Sequence, residues 1–128
     1  MTLETLDPDP DVDADAFDDG VLAALGADEY VFKIWGGDWC IDCQRQLPTF
    51  GAALAAAGVP DERIERHPVT KTPEGKEGPG VDAYGIELIP TVVVESADGD
   101  ELARFVEAAD ASIATYLARE LSAPETTT

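Results

Sequence analysis

Positive charge is scarce in this chain. Eight basic side chains stand against 27 acidic ones among 128 residues, a formal net charge of −19, and only Lys33, Lys71 and Lys76 are lysines. Nucleic acid and anionic membrane surfaces are held by clustered cations that neutralise phosphate, so neither is an expected partner. Long apolar runs are also missing, and no stretch could cross a bilayer as a helix. The segment Met1 to Asp15 has no basic region, apolar core or cleavage-site pattern. It does not read as a secretory signal, and a cytoplasmic location is expected. Cysteine is limited to Cys40 and Cys43, and histidine to His67. Two cysteines cannot build a disulfide framework. A complete zinc site from this inventory would need carboxylates or a second copy, because zinc is normally held tetrahedrally by Cys and His. No metal is expected, and no cofactor beyond the cysteine pair itself.

Apolar residues nevertheless make up 45% of the chain, and they fall into periodic segments, unlike the uniform polarity of a disordered acidic tail. This predicts one domain of ordinary size with its own core. Its acidic surface repels itself in dilute buffer, whereas at molar salt the Debye length shrinks to about 3 Å and screens the repulsion. The composition resembles that of proteins from salt-accumulating halophiles.

Residues 1–15 read as a solvated acidic extension whose Asp-Pro repeats disfavour a helix, 16–121 as the folded domain, and 122–128 as a flexible tail. Helical spacing of Phe17, Val21, Leu22 and Leu25 predicts a first helix from Ala16 to Leu25, stopped by Gly26. Tyr30 to Trp35 reads as a buried strand broken by Gly36-Gly37, with Lys33 at a strand edge and Trp35 in the core. A second helix is expected from Cys40 to Ala57, kinked at Pro48 and ended by Gly58. A weaker strand at Arg63–Val69 leads to a Pro/Gly/charged loop, Thr70–Gly80, and then to a short helix from Pro79 to Tyr84. Thr91–Glu95 reads as a strand covered on both faces, joined through an Asp98-Gly99 turn to a strand at Glu101–Val106. A last helix runs from Asp110 to Leu121. The order predicts an α/β fold with a mixed sheet, a βαβ unit followed by a hairpin and a closing helix.

The chemistry lies in Trp39-Cys40-Ile41-Asp42-Cys43. Cysteine attacks as its thiolate, so an exchange site needs a feature favouring the charged sulfur and a second thiol within reach. Cys40 falls where a strand and a Gly-Gly loop hand over to a helix, near unpaired N–H groups and the positive helix end. Cys43 lies one turn on, along the same face. Cys40 is therefore the expected nucleophile and Cys43 the expected resolving thiol. Asp38 and Asp42 are possible modulators, since a nearby carboxylate disfavours a thiolate even as it favours a helix start. His67 has the character of a strand-end or loop residue and is only a remote candidate for proton transfer.

A strand, Trp-Cys-x-x-Cys and a proline five residues past the second cysteine resemble the thioredoxin family. A second motif, Gly85-Ile86-Glu87-Leu88-Ile89-Pro90-Thr91 before a β-branched strand, is similar to that family's cis-proline segment. The resemblance covers roughly Ala16 to Leu121. It implies a thioredoxin-like α/β/α fold of three layers, a central mixed sheet flanked by helices. It also implies a protein-disulfide oxidoreductase with a redox-active Cys40–Cys43 disulfide. Trp39, Ile89, Pro90 and Thr91 would contact substrate, and the Ile89–Pro90 bond would be cis. Protein disulfides and a recycling reductase would be the partners, in a monomer serving electron transport and cell redox homeostasis. The chain departs from the pattern in three ways. Ile41-Asp42 replaces the usual Gly-Pro, Ile34 replaces the acid six positions before the first cysteine, and Asp38, Asp42, Glu87 and Glu107, with Leu88, make an acidic rim. A peptide-binding module of the same fold with little redox turnover is the alternative.

Overall fold

The computed structural model describes residues 4–7, 9, 11–12, 15, 17–27, 29–73, 75–78, 80–106 and 112–122. A 3-10 turn at Glu4–Leu6 is followed by α1 (Asp19–Leu25), β1 (Val31–Gly36), α2 (Ile41–Ala56), a 3-10 turn at Asp61–Arg63, β2 (Ile64–Pro68), β3 (Thr70–Thr72), β4 (Gly75–Glu77), α3 (Val81–Tyr84), β5 (Thr91–Glu95), β6 (Glu101–Val106) and α4 (Ile113–Ser122). The main sheet has the order β2-β1-β5-β6. β1 runs parallel to β2 and antiparallel to β5, and β5 is antiparallel to β6. This is the mixed sheet expected of a βαβ unit with a hairpin added, and the chain has a thioredoxin-like α/β fold.

Successive strand residues point to opposite faces of the sheet. The register therefore sets Phe32, Ile34, Val92, Val94, Ala103 and Phe105 on one face. Phe50 of α2 packs edge-on against Phe32, and Tyr116 of α4 against Phe105. α1 packs against α4 and α2 in the same layer. Burying Phe32, Phe50 and Phe105, each at most 1% exposed, contributes about 1.5–3 kcal/mol apiece. The opposite layer is thin. There Trp35 is buried beside α3, with Tyr84 tilted against its ring at 4.9 Å.

Four expectations are corrected. Lys33 is not at a strand edge, because β1 is interior to the sheet; its ammonium meets the Tyr84 hydroxyl at 2.8 Å and Glu95 at 3.2 Å. The Tyr84 hydrogen bond, and then Glu95 and Glu65, hold Lys33 above the usual lysine range against the opposing effect of burial. The stretch Thr70–Gly80 is not only loop: β3 and β4 form a hairpin with Thr70 opposite Glu77. Strands this short and polar carry no apolar alternation by which a sequence would announce them. The acidic extension is not wholly solvated, since Leu6 is 2% exposed and belongs to the core. Finally, α1 begins at Asp19, because Asp18 has extended backbone at φ −65°, ψ 141°. The expected starts of the short and last helices at Pro79 and Asp110 lie outside the described residues.

α2, the helix that carries the cysteines, has well-defined ends. It runs through Pro48 to Ala56, and Gly58 adopts φ 79°, which an L side chain would resist. The Gly58 N–H then donates to Ala55 O and the Val59 N–H to Leu54 O, closing the last turn as a Schellman motif.

Candidate active site

The chain leaves the C-terminal end of β1 through Gly36 and Gly37, both buried. Gly37 has a steric reason to be glycine, because a Cβ there would run into the Trp39 indole. That ring is 44% exposed yet anchored, its Nε1–H donating to Val69 O at 2.9 Å. The Cys40 N–H donates to Gly37 O at 3.0 Å, and the Gln44 side chain donates to Asp38 O at 2.7 Å. The turn bearing Trp39 and Cys40 is thus held from inside the loop, from α2 and from the segment after β2.

Cys40 is the N-cap of α2, with extended backbone at φ −89°, ψ 123°, and its sulfur accepts the Cys43 N–H at 3.3 Å. A thiol sulfur stands where Ser, Thr or Asp is usual, and a negative sulfur there would gain from the unpaired N–H groups of the first turn. Cys40 is partly exposed, Cys43 is fully buried, and both are free thiols. Burial pushes the Cys43 thiol up to about 12; its hydrogen bond with Cys40 and the charges of Cys40 and Asp42 act in the same direction, while the Gly37 backbone opposes them. The arrangement is a partly exposed cysteine at the helix end with a buried, neutral thiol one turn on.

At the same end of the sheet, Trp35 in β1 pairs with Thr91 in β5, so the chain just before Thr91 borders the Gly36-Gly37 loop. The Ile89–Pro90 bond is cis, as the sequence resemblance implies. Ile89, Pro90 and Thr91 are buried, and the Thr91 hydroxyl donates to Leu88 O at 2.6 Å. Leu88 and Ile41 are exposed, at 43% and 68%, and Ile41 and Trp39 flank Cys40 in the chain.

Among the acidic rim residues, Asp42 pairs with Arg45 at 3.1 Å, and both are too exposed for the pair to add much stability. Glu87 is exposed, and Glu107 lies outside the described residues. Asp38 has a partner no motif suggested. Its Oδ1 accepts the Thr5 N–H at 2.8 Å and also the Thr5 hydroxyl. The one sequence signal was Gly51 in an otherwise Ala-rich helix: a Cβ there would strike the Leu6 carbonyl oxygen, so the glycine marks where the N-terminal segment crosses α2.

Ile34, where the resemblance to thioredoxins would put an acid, is completely buried and can carry no proton. His67 is in β2, paired in register with Trp35 and stacked on it at 4.7 Å, with Nε2 3.3 Å from Glu65. Its place is explained by this stacking. Among the described residues no cluster of His, Cys, Asp and Glu is arranged to hold a metal ion.

No family model and no curated protein matches the sequence. Solved structures do. A protein of unknown function from Pseudomonas aeruginosa superposes with a TM-score of 0.52 at 21% identity, over 84% of this chain and 71% of that one. An HIV epitope scaffold gives 0.52 at 22% identity, over 84% of this chain and 66% of its own. A thioredoxin-fold protein from Helicobacter pylori gives 0.38 at 14% identity, over 80% and 68%. At these identities the likeness concerns the fold alone. No helix among the described residues is long and apolar enough to cross a membrane.

Proposed function

We propose that this protein is a thiol–disulfide oxidoreductase acting on protein disulfides, with Cys40 as nucleophile and Cys43 as resolving thiol. The asymmetry of the pair carries this reading: Cys40 caps the helix partly exposed, whereas Cys43 is buried with its thiol held neutral. Trp39, Ile89, Pro90 and Thr91 would contact the substrate chain. With Asp38, Asp42 and Glu87 on the rim, the partners are basic proteins or proteins met in high salt, where like charges oppose docking less. The acidic composition suits a salt-rich cytoplasm.

In the first step the Cys40 thiolate, its proton already lost to solvent, attacks one sulfur of the substrate disulfide. A mixed disulfide forms and the other substrate sulfur leaves as a thiolate. Cys40 then no longer carries charge, so one of the causes that hold Cys43 protonated, the Cys40 charge, is removed. The Cys43 proton passes to the departing thiolate or to solvent, a route that needs no acid at Ile34. The Cys43 thiolate next attacks Cys40 Sγ and expels the second substrate thiolate, which takes a proton. Two electrons and two thiol protons have moved to the substrate, leaving a Cys40–Cys43 disulfide for a recycling reductase.

One observation favours a second reading, a peptide-binding module: Ile34 removes the family's proton donor. Turnover separates the two. Reduction of a protein disulfide by dithiothreitol in molar KCl should be accelerated by the protein and not by Cys40→Ser, and Cys43→Ser should hold substrate as a mixed disulfide on Cys40. Stable complexes without turnover would replace the oxidoreductase with the module.

A further inference from the structure

We infer that the β3–β4 hairpin is a docking arm at the dithiol end of the sheet that takes an acidic face of the partner protein. This rests on the proposed exchange at Cys40 and selects, from the partners that reading allows, acidic proteins met in high salt. β2 runs parallel to β1 with Pro68 opposite Gly36, so the chain leaves both strands at the same end of the sheet. One exit continues through Gly37 to Cys40, the other through Val69 into the hairpin. Two hydrogen bonds tie the exits together: the Val69 N–H donates to Gly36 O at 2.8 Å, and the Trp39 indole donates to Val69 O at 2.9 Å. Where the hairpin returns, a Cβ on Gly78 would strike Pro68 O, so its far end closes on the same exit. The arm is thus rooted on the residue that anchors Trp39, the chain neighbour of Cys40. Lys71 is two residues beyond Val69, at most about 7 Å of chain. A partner with a footprint of about 800 Å², a disc roughly 30 Å across, that engages Cys40 also meets the arm.

Cations are scarce in this chain, and most are committed within the fold. Lys33, Arg45, Arg66 and Arg104 each pair with a carboxylate, and Arg63 and Arg119 have partners as well. The remaining two basic residues, Lys71 and Lys76, occupy directly opposite positions in the hairpin. Like charges at opposite positions destabilise a strand pair, and a two-stranded hairpin is marginal to begin with. Stability of the fold therefore gives no reason for this pair. Lys71 is exposed, and among the described residues no carboxylate meets it. Strand alternation places positions 71 and 76 on one face of the hairpin and Thr70, Thr72 and Glu77 on the other. Thr70 and Thr72 are half-buried, so the lysine face is the outward one. Glu77 is exposed at the end of β4, and Glu74 lies outside the described residues. Paired cations on one outward face, in a chain of net charge −19, fit a partner that presents carboxylates. At molar salt the Debye length is about 3 Å, so repulsion between two acidic proteins is screened while ion pairs in direct contact persist.

The test uses fluorescent peptides that share one internal disulfide and differ in their flanks, which are runs of Glu, Gln or Lys, in about 1 M KCl. Fluorescence anisotropy reads binding to the full chain carrying Cys40→Ser and Cys43→Ser, which cannot exchange. Turnover is read with the parent chain and dithiothreitol. Binding and kcat/KM should each favour the Glu-flanked over the Gln-flanked peptide about fivefold, with similar kcat. Lys71→Gln with Lys76→Gln should abolish that preference, and Lys71→Arg with Lys76→Arg should keep it. Circular dichroism in the same buffer establishes that each variant is folded, and Lys71→Gln alone should lower the preference if the double variant does not fold. Equal handling of the Glu and Gln peptides would overturn the inference. So would a Lys-flanked peptide handled better than the Glu-flanked one, or a Glu preference that survives loss of both lysines. Glu-flanked peptide bound through the lysines, with no peptide reduced, would overturn the proposed function and leave the arm standing. Reduction of all three peptides alike would do the reverse.

Discussion

The Cys43 N–H meets the Cys40 sulfur at 3.3 Å across the first turn of α2, so the two residues of the pair are linked through backbone as well as through chemistry. The same turn leaves Cys40 partly exposed and buries Cys43 completely. Their reactivities must therefore differ.

At pH 8 Cys40 should be alkylated at least about 100-fold faster than Cys43, because a thiol raised to about 12 is almost wholly neutral there and thiolate is the reacting form. Peptide mapping after a short exposure measures the ratio. Equal labelling would mean that the buried placement of Cys43 does not hold in solution.

Stability of the dithiol form should fall as pH rises above the ordinary thiol range. Cys43 has its folded pKa raised, so between about 8.5 and 12 the folded state binds more protons than the unfolded one, and stability is lost through that window. Urea unfolding at neutral pH and at about pH 10.5 tests this. Cys43→Ala should reduce the slope, and an identical slope would assign it to other groups.

Tyr84 ties the thin layer to the sheet. Its hydroxyl donates to Glu95 at 2.6 Å and accepts from Lys33, and its carbonyl takes Arg104 at 2.9 Å. Tyr84→Phe leaves Glu95 and Lys33 each short of a hydrogen bond in a half-buried site and should cost about 1–3 kcal/mol in denaturant unfolding. Lys33→Met, which strands the Glu95 charge, should cost about 3 kcal/mol. A loss under a few tenths in both would show that water replaces these partners freely.

Salt should stabilise the fold. With a net charge of −19, the denaturation midpoint should rise between about 0.1 M and about 2 M KCl as screening shortens the range of repulsion. A flat or falling midpoint would remove the reading of the acidic surface as an adaptation to salt.

The dithiol turn was legible in the sequence because its signals are local. Gly36-Gly37 breaks a strand, Cys40 and Cys43 are spaced by one helical turn, and Val92 to Val94 announce a strand with both faces covered. The cis bond before Pro90 was implied by motif resemblance. Lys33 was misplaced because nothing in Val31–Gly36 says how many strands will flank it. The β3–β4 hairpin was missed because three-residue polar strands have no apolar period to read.

By itself the sequence determined the spacing of the cysteine pair, the order of the elements and the acidic composition, all of which are written along the chain. Only the tertiary structure decided what stands around them. Cys43 is neutral because the core closes over it, Lys33 is charged beside Tyr84 and Glu95, and Asp38 is held by Thr5. These are contacts between residues 51, 62 and 33 positions apart, as for Lys33–Tyr84, Lys33–Glu95 and Thr5–Asp38. Burial and electrostatics depend on distance in space, and no local pattern encodes such a distance. Gly51 is the exception, since a residue with no side chain in mid-helix records the passage of another chain.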